Sequence, residues 1–294
     1  MTWPPAEFEL NHTTVAELVA SQHPDLAHLE LSYLAEGFDN ATWRLGDDFV
    51  VRLPRRGVAA TLLAHELEWL PVLAPTLPLP TSVALRAGKP TERYPCPWAI
   101  CAWLEGTPGD LVVPGAASAP ILGGFLAALH QPGPPTAPSN PYRGGHPSTR
   151  AEVVDRRVGV LAEHVDSSRV LAAFSTACSA PPATTPTWLH GDLHPGNTLY
   201  DGDQLCAVLD FGDLCSGDPA TDLAGGLLAL PSTSLETFFA AYGGADANLL
   251  LRTAGWAIAM GVLLAELGMG ERPSYLAMGL RGVTSGVELV ERLG

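Results

Sequence analysis

Apolar and polar positions alternate over three short stretches near the start of the chain: LELSYLAEG (29–37), ATWRLG (41–46) and DFVVRLP (48–54). Glycines and aspartates separate them, so each stretch predicts a strand. The step Gly46-Asp47-Asp48 predicts a tight hairpin between the second and the third. The next segment, GVAATLLAHELEWLPVLA (57–74), spaces its apolar residues as a helix does and then meets Pro75. After a proline-rich crossing, WAICAWLEG (98–106) predicts one more strand. An antiparallel sheet with one main helix thus fills a small lobe that ends near Trp103.

From there the spacing turns helical, over 117–130, 149–178, 219–230, 233–243, 247–270 and 274–292. Two interruptions stand out. HQPGPPTAPSNPYRGGHP (130–147) is a long proline- and glycine-rich loop. NTLYD (197–201) and LCAVLDFGD (205–213) form a strand pair around the turn Asp201-Gly202-Asp203. The expected fold class is α+β with two lobes. Residues 1–103 form a small β lobe with one main helix, and 104–294 a larger, mainly helical lobe. A cleft between two such lobes suits a small ligand.

Composition changes this picture in three ways. The opening MTWPPAEFEL has neither the basic start nor the apolar run of a signal peptide. The uncharged apolar run Thr253 to Ala265 is shorter than the roughly 20 residues of a spanning helix. A cytoplasmic protein is therefore expected. Five scattered cysteines without a Cys-x-x-Cys pair argue against a disulfide framework or structural zinc. The net charge is −15, and between Arg169 and Arg252 there are nine carboxylates and no Lys or Arg. Such a field disfavours nucleic acid and anionic membrane as partners and favours cations.

The densest chemistry lies in TWLHGDLHPGNTLY (187–200). His190, Asp192 and His194 alternate as ligands around a transition metal often do. Asp192 and Asn197 also suit a phosphotransfer loop, and a polar turn between strands is the plain alternative. Downstream, Asp210 ends an apolar strand, and the hairpin 197–213 brings it back toward Asn197. Phosphoryl transfer needs a carboxylate for the attacking hydroxyl and oxygen ligands for Mg²⁺ on the nucleotide phosphates. Asp192, Asn197 and Asp210 supply that set.

These strings resemble the aminoglycoside phosphotransferase family, the antibiotic-kinase branch of the protein-kinase-like superfamily. HGDLHPGN (190–197), LDFGDLCSGDPATDLA (209–224) and EGFDNATWRLGDDFVVRLPRR (36–56) carry the likeness. HELEWLPVLAPTLPLP (65–80) and PWAICAWLEG (97–106) fit it too. The resemblance implies a two-lobed protein-kinase-like fold with Asp192 as catalytic carboxylate and Asn197 and Asp210 as magnesium ligands. It implies a small-lobe cation paired with a helix carboxylate. The only lysine, Lys89, sits in a turn, so Arg52 and Glu66 take that part where many relatives use lysine. It also implies that the turn containing Asn40 covers the nucleotide and that the backbone of Ala102 and Leu104 meets the base of ATP or GTP. His190 and His194 read as hydrogen-bond partners of the loop, Asp218 as a helix cap, and Asp222 as a brace of that helix or of the loop. Asp213 stands between structure and substrate, and His130 has no assigned role. The implied activity is γ-phosphoryl transfer to a small-molecule hydroxyl. An aminoglycoside or other polycationic antibiotic is the favoured acceptor, ahead of a macrolide, choline, homoserine or a sugar. A metal-dependent hydrolase using the HxDxH cluster and a nucleotide-binding module without turnover are the rivals.

Overall fold

The computed structural model describes residues 5–270 and 272–294, so Met1–Pro4, part of the opening read for a signal peptide, lie outside the described residues. The sheet of the small lobe has five antiparallel strands, ordered β1-β2-β3-β5-β4: β1 (Leu31–Glu36), β2 (Asn40–Leu45), β3 (Phe49–Pro54), β4 (Ala84–Gly88) and β5 (Trp98–Ala102). Leu45 faces Phe49 across the predicted hairpin, and Gly46 takes φ 59°, a conformation glycine adopts without strain. Val51, Leu53, Trp98 and Ile100 make the core of this sheet with Trp43 and Leu45.

Two elements here were not expected. Helix α1 (His12–Gln22), capped by Asn11 accepting from the Thr14 amide, closes the sheet core with Val15, Leu18 and Val19. Its apolar face is too narrow to stand out in the sequence. Strand β4 is an edge whose middle residues are exposed, so it shows no alternation.

The main small-lobe helix, α2 (Gly57–Leu73), belongs to both cores. Leu63 packs under the sheet, while Leu70, with Trp69 and Leu73, joins the core of the large lobe. The Trp69 ring lies 5.1 Å from that of Trp188. Glu66 therefore rides on a helix whose C-terminal half is anchored across the cleft.

The large lobe contains α3 (Ser118–Leu129), α4 (Ala151–Val160), α5 (Ser167–Ala177), α6 (Ala220–Ala229), α7 (Leu235–Tyr242), α8 (Ala247–Gly268) and α9 (Pro273–Leu293). The segment expected as one helix over 149–178 breaks into α4 and α5, because Asp166 caps a new start by accepting from the Arg169 amide. All ten residues of α6 are buried, as befits the central helix of the bundle. Helix α8 is long and apolar enough to cross a membrane, but 67% of its most apolar window is buried inside the fold. It is a core helix, packed on α6 and α9. A Cβ at Gly279 of α9 would come within 2.3 Å of the Ala265 amide, so glycine permits that close approach.

Short sheets frame the loops between the lobes. Strand β7 (Thr187–Leu189) pairs with β10 (Cys215–Gly217), and β8 (Thr198–Asp201) with β9 (Gln204–Val208) and β6 (Thr107–Pro108). The β8–β9 turn follows the predicted one, with Asp201 facing Gln204 and Gly202 at φ 60°.

Candidate active site

Strand β7 delivers the chain into the loop 190–197, and backbone amides hold the loop in place. The His190 and Gly191 amides donate to Oδ2 and Oδ1 of the fully buried Asp222, at 2.6 and 2.9 Å. Asp222 also meets Nε2 of His130 at 3.2 Å, and His130 Nδ1 lies 2.9 Å from the Tyr242 hydroxyl. The second expectation for Asp222, a brace of the loop, is what the geometry shows, and His130 gains a partner. Gly191 has φ 86° and sits against the Asp213 carbonyl, where a Cβ would come within 2.3 Å.

The two histidines serve the loop's own backbone. His190 Nε2 lies 2.8 Å from the Leu209 carbonyl and its Nδ1 accepts from the Asp192 amide; His194 Nδ1 accepts from Gly196 at 3.0 Å. Burial lowers the His194 pKa, against the pull of Asp192, whose Oδ2 is 3.7 Å from Nε2. Among the described residues no three His, Cys, Asp or Glu side chains converge as a shell for a metal ion.

Asn197 and Asp210 are neighbours. Thr198 pairs with Val208, and the Leu209 amide donates to the Asn197 carbonyl at 2.8 Å. Asn197 Nδ2 donates to the Asp192 carbonyl at 2.9 Å, which leaves its Oδ1 as the atom for a cation. Asp210 has φ 57°, the one non-glycine residue with positive φ among the described residues. Aspartate tolerates this region better than most residues, at a strain of order 1–2 kcal/mol. Its amide donates to Ser82 Oγ at 3.2 Å, and its side chain is 47% exposed. An amide oxygen and a carboxylate, both hard donors, fit Mg²⁺, which keeps its remaining positions for water and phosphate.

Across the cleft, Arg52 on β3 donates from Nη1 to Glu66 and from Nη2 to Asp210 Oδ1 at 2.7 Å. Burial alone would lower the Arg52 pKa, but Glu66 and Asp210 raise it above its ordinary value. Burial raises the Glu66 pKa above its ordinary value, with the Arg52 charge beside it pulling the other way.

Asn40 opens β2 beneath the turn, where its carbonyl accepts from the Gly37 amide at 2.8 Å and its Oδ1 is buried without a partner. Arg56 secures the same turn through Asp39 at 2.8 Å. Ala102 ends β5, and the Trp103 amide turns to β3, donating to the Asp48 carbonyl at 2.7 Å. By the alternation of an extended strand, the amide groups of Ala102 and Leu104 turn to the other edge, beyond the last β4 pairing at Ala84 and Cys101.

The profile of the phosphotransferase enzyme family matches residues 30–259. The chain belongs to that family. A homoserine kinase of Pseudomonas aeruginosa is 28% identical over 209 residues, covering 65% of this chain and 61% of its own length. The chain thus matches about three-fifths of that relative. Among solved structures, the GDP and kanamycin complex of APH(2")-IIia covers 97% of this chain and 98% of its own, with TM-score 0.67 and 21% identity. A macrolide 2'-phosphotransferase from Brachybacterium faecium covers 92% and 96%, with TM-score 0.58 and 21% identity. At that identity the likeness speaks to the fold, a two-lobed protein-kinase-like one.

The site holds one residue that the sequence did not announce. Arg143, from the proline- and glycine-rich loop, donates from Nη2 to Asp192 Oδ1 at 2.7 Å. Burial alone would raise the Asp192 carboxyl, but Arg143 and His194 hold it below its ordinary range. Asp213, beside it, is pushed up to about 6 by burial and by Asp192, while Asn140 donates to its Oδ1 at 2.6 Å. A structureless loop of this length inside a domain is itself a functional signal.

The acidic stretch 170–251 also reads differently in three dimensions. Asp192 pairs with Arg143, Asp210 with Arg52 and Asp218 with Arg252; Asp213 is bonded to Asn140 and Asp222 to the loop. Asp246 caps α8 by accepting from the Leu249 amide at 2.7 Å. Glu236 stands in the first turn of α7, and Asp201 and Asp203 flank Gly202 at the β8–β9 turn. Six of the nine carboxylates are thus engaged by the protein itself.

Proposed function

We propose that this phosphotransferase moves the γ-phosphoryl group of ATP or GTP to the hydroxyl of a small molecule, with Mg²⁺ as cofactor. The observation that carries the reading is the continuous set Glu66–Arg52–Asp210, joined through the Leu209 amide and Asn197 to the backbone of Asp192. Asn197 and Asp210 hold the metal, which when bound neutralises phosphate charge. Arg52 keeps Glu66 and turns its second nitrogen from Asp210 to a phosphate oxygen. The backbone of Ala102 and Leu104 receives the base, and the turn at Asn40 covers the phosphates. Asp192 orients the acceptor hydroxyl and takes its proton as the oxygen–phosphorus bond forms and the β–γ bridge breaks. A cytoplasmic location goes with this reading.

For the acceptor, the similar proteins point three ways, to kanamycin, macrolides and homoserine. An aminoglycoside phosphorylated for antibiotic resistance keeps the support of the fold. It loses the support of the acidic stretch, whose carboxylates are mostly engaged. The test is Mg²⁺-dependent consumption of ATP or GTP against a panel of aminoglycosides, macrolides, amino alcohols and hydroxy acids, with mass spectrometry of the product. Zinc retained after chelation, with turnover independent of nucleotide and magnesium, would assign the HxDxH loop to hydrolysis instead.

A further inference from the structure

The loop that carries Arg143 brings a second arginine beside it. Arg143 Nη1 reaches the Tyr142 carbonyl at 3.4 Å, and Arg150 Nη2 donates to the adjacent Pro141 carbonyl at 3.2 Å. The Arg150 guanidinium stands 6.0 Å from the centre of the Tyr142 ring, which is 63% exposed. Among the described residues Arg150 has no carboxylate partner; its Nε donates to the Thr149 hydroxyl at 3.3 Å. Arg143 has one, Asp192, and its own Nε is buried without a hydrogen-bond partner. Burial, and then the neighbouring charge of Arg143, lower the pKa of Arg150.

Two guanidiniums set side by side repel each other, and an unpartnered buried N–H is a standing penalty. The fold nonetheless holds them there. The Gly144 carbonyl accepts from the Asp218 amide at 2.7 Å, the Gly145 carbonyl from Trp256 Nε1 at 2.9 Å, and His146 Nε2 lies 2.9 Å from the Ala180 carbonyl. The loop is a fixed wall beside Asp192. Guanidinium is the side chain best matched to a planar or tetrahedral oxyanion.

We propose that Arg143 and Arg150 bind an anionic group, a carboxylate or a phosphate, carried by the acceptor whose hydroxyl meets Asp192. The acceptor is then a hydroxy acid or a hydroxyl-bearing phosphate ester, its body lying along the Tyr142 ring. This rests on the phosphotransfer reading above. A polycation would face two arginines at this wall.

The experiment uses the full chain with Mg²⁺ and ATP and compares 4-hydroxybutanoate, its amide, 3-hydroxypropyl phosphate, 3-aminopropan-1-ol and kanamycin as acceptors. The expected result is a KM roughly tenfold or more lower for an anionic acceptor than for the amide. Arg150→Gln raises that KM by a similar factor and leaves kcat, the KM for ATP and the KM for the amide within about twofold. The better of the carboxylate and the phosphate identifies the anion. Equal KM values for acid and amide overturn the proposal. So does preference for either cation, or an Arg150→Gln effect confined to the KM for ATP. A second measurement needs no turnover: with Mg²⁺ and a non-hydrolysable ATP analogue saturating, sulfate raises the unfolding temperature of the wild type more than that of Arg150→Gln. If no acceptor is phosphorylated, the phosphotransfer reading fails, while this sulfate difference still supports the anion site. Equal sulfate shifts in both proteins overturn it.

Discussion

Arg52 spans the cleft to Asp210: one nitrogen of its guanidinium lies 2.7 Å from the Asp210 carboxylate while the other is held by Glu66. The strand, the helix and the loop of Asp210 are joined in one ion network. Removing the middle member leaves Glu66 buried at 3% exposure with no counter-charge. Arg52→Ala should therefore lower stability by about 3–5 kcal/mol as well as weaken nucleotide binding. Arg52→Lys should recover part of both, because a point charge can serve one carboxylate but not fork between two. Chemical denaturation and nucleotide titration of the two variants check this; equal stability of Arg52→Ala and wild type would remove the network from the account.

The Asp192 carboxylate pairs with Arg143, while Asn197 meets only its backbone carbonyl, so removing the charge should separate chemistry from binding. Asp192→Asn should reduce turnover by roughly 10²–10⁴-fold while nucleotide affinity stays within a few-fold of wild type. Single-turnover kinetics and calorimetric titration read the two quantities. Wild-type turnover in this variant would take the catalytic role from Asp192.

Asp210 combines a proposed metal-binding carboxylate with backbone strain, and two substitutions pull these apart. Asp210→Gly and Asp210→Ala should both abolish magnesium-dependent nucleotide binding. The glycine variant should be the more stable by about 1 kcal/mol, since it alone adopts φ 57° freely. Equal melting of the two would show that the backbone relaxes once the carboxylate is gone.

The parts of this site legible in the sequence are those whose residues are close in the chain or tied by a turn. Asp192 and Asn197 share one loop, and the β8–β9 turn returns Asp210 to Asn197, so spacing alone brings the three together. Arg52 and Glu66 followed from resemblance, with a strand and a helix of clear periodicity to carry them. Arg143 had no such support. It comes from a loop without periodicity, 49 residues before Asp192, and only tertiary packing joins them. The engagement of the acidic stretch was hidden for a related reason: a count of charges says nothing of the caps, backbone amides and arginines that engage them. Asp246 reads as a free carboxylate in the sequence and is a helix cap in the fold. Helix α1 and strand β4 were missed because one shows too narrow an apolar face and the other an exposed edge.

Asp213 offers a test through pH. Its carboxyl, ordinarily near 3.8, is pushed up to about 6 in the folded protein by burial and by the nearby charge of Asp192. A raised carboxyl favours the folded state only while protonated. That contribution is complete below the unfolded value and is lost as pH rises toward 6. The wild type therefore bears a penalty at neutral pH that Asp213→Asn does not, and the asparagine Oδ1 can still accept from Asn140. One pKa unit corresponds to about 1.4 kcal/mol, so the variant's advantage over wild type should be larger at pH 7.5 than at pH 4.5 by about 2 kcal/mol. Urea denaturation of both proteins without nucleotide or magnesium at the two pH values measures this difference, and contributions from other titrating groups largely cancel between them. A difference that is flat with pH would mean that Arg143 and Asn140 hold the Asp213 carboxylate ionised at no penalty, and that the charge beside Asp192 is fully compensated.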